Sequence, residues 1–211
     1  MMRSIYSMNA LDGLLAQTLE QVIKKKLGEK TFEKIEDRLQ ERYKITAIEA
    51  IRDFQRFDAT LREFFGTGAD AMEKDFLEQI ISLDDSKHEK PWLIIENEKI
   101  CNLVLESYGD KEKKLILDTA FKKPGVILDI LERCEIPKST GYRIINELVE
   151  VGLLTEKGFT TTEDGKKVNL YTSLFENVMI DIRQGKVTVR IQLKEEVIKE
   201  SFFVRILREL T

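Results

Sequence analysis

The chain has 211 residues, of which 42% are hydrophobic and 34% are charged, and its formal net charge is −4. This composition is typical of a folded soluble protein, and no apolar run approaches the roughly 20 residues that span a bilayer. The first residues contain no signal-peptide core, so we expect a cytoplasmic protein without a membrane partner.

Charged residues are balanced along the chain. Residues 1 to 91 contain 15 Lys/Arg and 18 Asp/Glu, and residues 110 to 174 contain 11 of each kind. Because no basic arm is present, any affinity for DNA has to come from a few well-placed cations.

The sequence has few residues of the kinds that metal and enzyme sites use. Two cysteines and one histidine provide neither a disulfide framework nor the usual zinc ligands. No P-loop, Rossmann, kinase or zinc-hydrolase motif occurs. We expect no metal, no cofactor and no enzyme activity, although catalysis by carboxylates alone stays open.

Apolar residues recur at helical spacing through the first 81 residues. They predict four helices, which begin near residues 10, 31, 47 and 69. The third follows a capping box and is expected to run unbroken to Phe65, with Phe64 on its buried side. Asp58 lies four residues before Arg62, which predicts an ion pair.

The middle of the chain changes character twice. Polar residues 83 to 91 predict a linker, and residues 92 to 95 fit a short strand or the start of a helix at 97 to 108. Three helices are then predicted, at residues 111 to 121, 126 to 134 and 138 to 151, and Gly152 ends the third. Strands at 153 to 161 and 167 to 172 follow, joined by an Asp164-Gly165 turn.

A second hairpin can be placed in register. A two-residue loop at Gln184-Gly185 pairs Ile182 with Val187 and puts all the branched residues on one face. The last helix, residues 194 to 210, is apolar over more of its surface than one sheet face needs. We therefore expect it to contact a second subunit.

The stretch PKSTGYRIINELVEVGLL, with a short helix before it and a hairpin after it, carries a resemblance. Residues 111 to 172 resemble the winged helix-turn-helix domains of archaeal and bacterial transcription regulators, especially the arsenic-repressor and multiple-antibiotic-resistance-regulator kinds. The resemblance implies that helix 138 to 151 enters the major groove while the wing, residues 153 to 172, lies along the DNA backbone. The implied DNA-binding residues are Lys138, Ser139, Thr140, Tyr142, Arg143, Asn146, Lys157, Lys166 and Lys167.

The chemistry of these side chains fits that role independently. Arg143 can bond to two acceptors on guanine and Asn146 can do so on adenine, while hydroxyl groups and a helix N-terminus suit phosphate. Gly141 departs from the resemblance, because it costs about 1 kcal/mol in helix propensity at a place usually taken by a small apolar residue. Metal-sensing members of the arsenic-repressor group use Cys, His or carboxylate ligands, and this sequence supplies no cysteine pair, so the resemblance implies DNA binding and not a metal.

The sequence thus predicts a mainly α protein with a small amount of β structure. Four segments are expected: a helical sensory or interaction domain at residues 1 to 85, a linker and connecting helix at 86 to 109, the winged helix-turn-helix at 110 to 174, and a hairpin with a terminal dimerisation helix at 175 to 211. The expected function is transcription regulation by a homodimer that binds double-stranded DNA, with an effector or protein partner at the N-terminal domain. The alternative is a winged helix that binds a protein partner and does not recognise a DNA sequence.

Overall fold

The computed structural model describes residues 10 to 84 and 92 to 209. The chain is mostly helical with a small antiparallel sheet, as the composition and periodicity predict. The helices are α1 (Ala10–Leu27), α2 (Glu29–Tyr43), α3 (Ala47–Arg52), α4 (Phe54–Phe65), α5 (Ala69–Glu78), α6 (Glu98–Gly109), α7 (Lys111–Lys122), α8 (Ile127–Cys134), α9 (Lys138–Glu150), α10 (Glu195–Glu200) and α11 (Phe202–Glu209). The strands are β1 (Ile81–Asp84), β2 (Trp92–Ile95), β3 (Leu154–Thr161), β4 (Lys167–Ser173), β5 (Phe175–Arg183) and β6 (Lys186–Leu193).

Four of the strands form one antiparallel sheet in the order β1-β2-β6-β5, and β3 pairs with β4 in a separate hairpin. In the β5–β6 hairpin Ile182 lies opposite Val187 and Ile180 lies opposite Val189, so the predicted register is confirmed. Residues 92 to 95 are a strand that pairs with β6. The first two residues of the predicted linker, 83 and 84, belong to strand β1. The rest of the linker, residues 85 to 91, lies outside the described residues.

The third predicted helix is interrupted. The Thr46 capping box starts it as expected, with the Thr46 side chain accepting from the amide of Glu49. The prediction of an unbroken helix is wrong, because Asp53 leaves the helical region and separates α3 from α4. Beyond the break, the Phe54 ring packs edge-on against Phe203, with centroids 5.2 Å apart. The prediction that Phe64 is on the buried side is also wrong, because Phe64 is 40% exposed.

The terminal helix is also interrupted, at Ser201. Its hydroxyl accepts a hydrogen bond from the amide of Val204, at 3.2 Å, and so caps α11. Asp12 on α1 accepts from the Ser201 hydroxyl at 2.6 Å and from the Phe202 amide at 3.1 Å. The break in the terminal helix therefore depends on a hydrogen bond between Asp12 and Ser201, which are 189 residues apart in the sequence.

The apolar surface of α11 is covered within the chain. Phe203, Val204 and Leu207 are buried, and α11 packs against α5 and the Phe54 region. The expectation that this surface needs a second subunit is therefore wrong, since the N-terminal helices cover it. The buried apolar side chains belong to one continuous cluster that includes all four predicted segments.

No helix in the described ranges combines the length and the apolar character that a membrane crossing requires.

Candidate functional site

Helix α9 packs closely on α8. Glu135 adopts a left-handed conformation between them, and α9 buries Ile144, Ile145 and Leu148. A Cβ atom added to Gly141 would lie 2.2 Å from Cδ2 of Leu131 on α8. The glycine that departs from the resemblance thus has a packing role, because it lets the two helices approach.

The end of α9 follows the predicted pattern. Gly152 has a positive φ of 79°, and the amide of Leu153 donates to the carbonyl of Leu148 at 2.9 Å. This six-to-one bond around a left-handed glycine is a Schellman motif. Gly152 therefore ends the helix as the sequence predicts and directs the chain into β3.

The outward side of α9 carries the residues that the sequence predicts for DNA. Tyr142 is 39% exposed, and the Arg143 side chain is 69% exposed. The predicted DNA-binding residues in α9 are Lys138, Ser139, Thr140, Tyr142, Arg143 and Asn146. All of them are exposed except Thr140, which is half-buried. The structure therefore places these six on the outward half of α9, within its first two and a half turns.

The first turn of α9 has no side-chain cap from any described residue. Pro137 precedes the helix and offers no side-chain acceptor, and the first intrahelical bond runs from the amide of Gly141 to the Pro137 carbonyl at 2.8 Å. The amides of residues 138 to 140 precede this bond. Such amides at a helix N-terminus bind anions readily.

Arg143 is only loosely held. Its Nη1 atom lies 3.6 Å from Oε2 of Glu147, one turn further along α9. Glu147 also pairs with Lys113 on α7, whose side chain is largely buried. The guanidinium of Arg143 is therefore accessible. Its pair with Glu147 contributes little, because the pair is exposed and Lys113 already neutralises Glu147.

The β3–β4 hairpin is fixed to the helices at its base. Gly125, between α7 and α8, exchanges two backbone hydrogen bonds with Tyr171 on β4, at 3.1 and 2.8 Å. The Thr172 hydroxyl donates to the carbonyl of Ala120 at 3.2 Å and accepts from Lys194 at 2.6 Å. These bonds hold the hairpin beside α9, while its turn projects outward.

The three predicted hairpin lysines have different surroundings. Lys166 lies 2.9 Å from Oδ2 of Asp164 in the turn. Lys157 reaches Glu196 on α10 at 3.3 Å, away from the hairpin turn. Lys167 lies over the ring of Phe159, 4.5 Å from its centroid. Two of the three lysines are thus at the exposed end of the hairpin.

Phe159 is a candidate that sequence reasoning missed. This residue is 58% exposed, and it lies next to Lys167 and beyond a bulge at Gly158, where φ is 108°. An exposed aromatic ring beside a cation can contact sugars or bases. The feature of the sequence that could have indicated it is that Phe159 is the one large apolar residue between positions 155 and 163.

A second polar cluster lies between α4 and α5. Asp58 accepts a hydrogen bond from Arg62 at 2.7 Å, which confirms the predicted ion pair. Asp70 on α5 also binds Arg62, and Glu73 is buried beside them. Burial, together with the nearby Asp58, raises the pKa of Glu73 to about 8. The carboxylates of Asp58, Asp70 and Glu73 are close enough to share a cation.

Comparison with known proteins gives no match: no family model, curated protein or solved structure resembles the chain significantly.

Proposed function

We propose that residues 111 to 173 form a winged helix-turn-helix that binds double-stranded DNA and regulates transcription from the cytoplasmic compartment. Helix α9 lies in the major groove, with Arg143 and Asn146 against base edges, and the β3–β4 hairpin is the wing on the backbone. The observation that carries the proposal is the outward side of the first two and a half turns of α9, which have no side-chain cap and present two cations, two hydroxyls, an amide and an aromatic ring.

The geometry of α9 supports this role in two ways. The close contact between Gly141 and Leu131 fixes the angle between α8 and α9 within a packed pair of helices. The amides of its first turn and the hydroxyls of Ser139 and Thr140 suit a phosphate group, while Arg143 lies one turn further on. The groups that suit phosphate thus lie at the start of α9, and the groups that suit base edges lie one turn further along the helix.

The wing supports it as well. Its base is bonded to the turn between α7 and α8, so that the cations at the exposed end are held at a defined distance from α9. Lys166 and Lys167 suit phosphates, and Phe159 suits a sugar face. Their pairs with Asp164 and with the Phe159 ring are exposed contacts, which contribute little and give way to a phosphate.

A homodimer remains part of the proposal, on a different surface. Strand β5 is an outer strand of the four-stranded sheet and exposes Met179 and Ile182. An outer strand of nine residues can pair with a second copy. Two copies would read half-sites about one helical turn apart. If the protein binds as a monomer, a single half-site would be selected instead.

Fluorescence anisotropy on labelled duplexes at several salt concentrations tests the binding mode. Lys166→Gln should weaken binding to all duplexes alike and reduce the salt slope by about 1, because it removes a phosphate contact. Lys186→Gln is the matched control, since Lys186 likewise follows directly after the turn glycine of the other hairpin. Equal effects of the two changes would show that the wing has no special role.

A protein-binding winged helix is the second candidate function, and the ion pairs favour it. Arg143, Lys157 and Lys166 each have a carboxylate partner within 4 Å, which lowers the positive potential that DNA would meet. A partner protein would use Tyr142 and Phe159 as apolar anchors. Binding insensitive to salt, with no preference among duplexes, would favour this candidate over DNA.

A further inference from the structure

Glu73 is an unusual residue in the helical half of the protein. It lies on α5, and only 3% of its surface is exposed. Among the described residues its Oε1 atom has no hydrogen-bond partner. A buried carboxylate oxygen without a partner is costly, so such atoms in proteins usually contact a bound ion or water.

Two more carboxylates lie beside the Glu73 side chain, and that of Asp58 is close enough to share a hydrogen bond with it. Asp58 comes from α4, and Asp70 lies three residues before Glu73 on α5, so the two helices present all three groups to one point. One oxygen of each carboxylate lies within 4.8 Å of the others. Two oxygens bound to the same Ca²⁺ ion lie at most about 5 Å apart, because each bond is about 2.3 to 2.6 Å long.

Among the described residues, Arg62 is the cation that pairs with the two aspartates. Arg62 donates to Oδ1 of Asp58 at 2.7 Å and also binds Oδ1 of Asp70. Each of these aspartates has a second oxygen that can bind an ion. When all three carboxylates are ionised, the four side chains carry a net charge of −2, which one divalent cation neutralises.

We propose that Asp58, Asp70 and Glu73 form a binding site for a hard divalent cation, with Ca²⁺ or Mn²⁺ preferred. Oxygen-only ligands select such ions over zinc or copper. Water completes the coordination, since Asp58 and Asp70 reach the surface while Glu73 closes the site from below. The ion joins α4 to α5 across the turn at Gly66–Gly68 and stabilises the helical half that covers α11.

Thermal unfolding of the full chain, first treated with EDTA and then supplied with CaCl₂, MnCl₂ or MgCl₂, tests the site. At a hundredfold excess over the dissociation constant, the melting temperature should rise by about 5 to 10 °C. Glu73→Gln and Asp70→Asn should abolish the rise. Glu73→Gln keeps the shape of the buried carboxyl, and Asp70→Asn changes an exposed position, so at least one variant is expected to fold.

Asp75→Asn is the matched control, because Asp75 is an exposed carboxylate on the same helix that pairs with Lys26. It should respond to the cations as the wild type does. No rise with any of the three salts would overturn the proposal and leave Glu73 as a buried, protonated carboxyl. A rise that persists in both site variants would also overturn it, because the cation would then bind elsewhere.

Discussion

The contact between Gly141 and Leu131 gives a sharp prediction about stability. A Cβ atom at position 141 would lie 2.2 Å from Cδ2 and 2.7 Å from Cδ1 of Leu131, which is buried on α8. Ordinary carbon contacts are about 3.5 to 4.0 Å, so α9 or the leucine must move by about 1 Å. Overpacking of this kind costs about 1 to 3 kcal/mol.

Helix propensity acts in the opposite direction. Alanine in place of glycine inside a helix stabilises by up to about 1 kcal/mol. We therefore expect Gly141→Ala to lower the free energy of unfolding by about 1 kcal/mol net. Gly109→Ala is the matched control, since Gly109 is helical, has no atom within 4 Å of its added Cβ and should be neutral or slightly stabilising.

Urea unfolding followed by circular dichroism measures both variants. The two should differ by about 1 to 3 kcal/mol in the free energy of unfolding, or by about 5 °C in melting temperature. In the double variant with Leu131→Ala, the extra methyl group should fall into the new cavity and cost nothing further. A Gly141→Ala protein at least as stable as Gly109→Ala would refute the close approach of α8 and α9.

Three further predictions concern charge and hydrogen bonding. Burial raises the pKa of Asp12 to about 6 from its ordinary 3.8, so the folded state holds this proton more tightly and stability falls as the pH rises between those values. The loss in the free energy of unfolding is about 3 kcal/mol. Unfolding measured at about pH 4 and at about pH 7 should show this loss in the wild type, and the Asp12→Asn variant should lack it. Ser201→Ala should destabilise by about 1 to 3 kcal/mol in the same assay, because it removes the cap of α11 and leaves Asp12 with one donor fewer; no change would mean that α11 is held by packing alone. Glu147→Gln should tighten DNA binding several-fold in anisotropy measurements, because it removes a negative charge from α9 and leaves Lys113 without this carboxylate, which raises the positive potential there; weaker binding would show that Glu147 positions Arg143.

Local patterns predicted the local structure well. The register of the β5–β6 hairpin follows from the branched residues around Gln184-Gly185, since a shift by one residue would turn them all to the wrong face. Gly152 ends α9 through its own backbone conformation. The ion pair between Asp58 and Arg62 depends on helical spacing alone.

Contacts between distant residues explain what the sequence did not predict. The break at Ser201 depends on Asp12, and the apolar face of α11 is covered by helices near the other end of the chain. Periodicity describes one element at a time and does not show which surface another element will cover. The packing role of Gly141 and the burial of Glu73 are of the same kind, because both depend on a neighbouring helix.

Selection from random duplex DNA with the purified full-length protein tests the central claim most directly. We predict one enriched motif with inverted half-sites about one helical turn apart. Arg143→Ala should lower affinity for that motif by about 1 to 3 kcal/mol, roughly 5- to 150-fold, and relax the preference at one base pair. No enrichment at low salt from a folded protein would contradict the account and favour a protein partner for α9 and the wing.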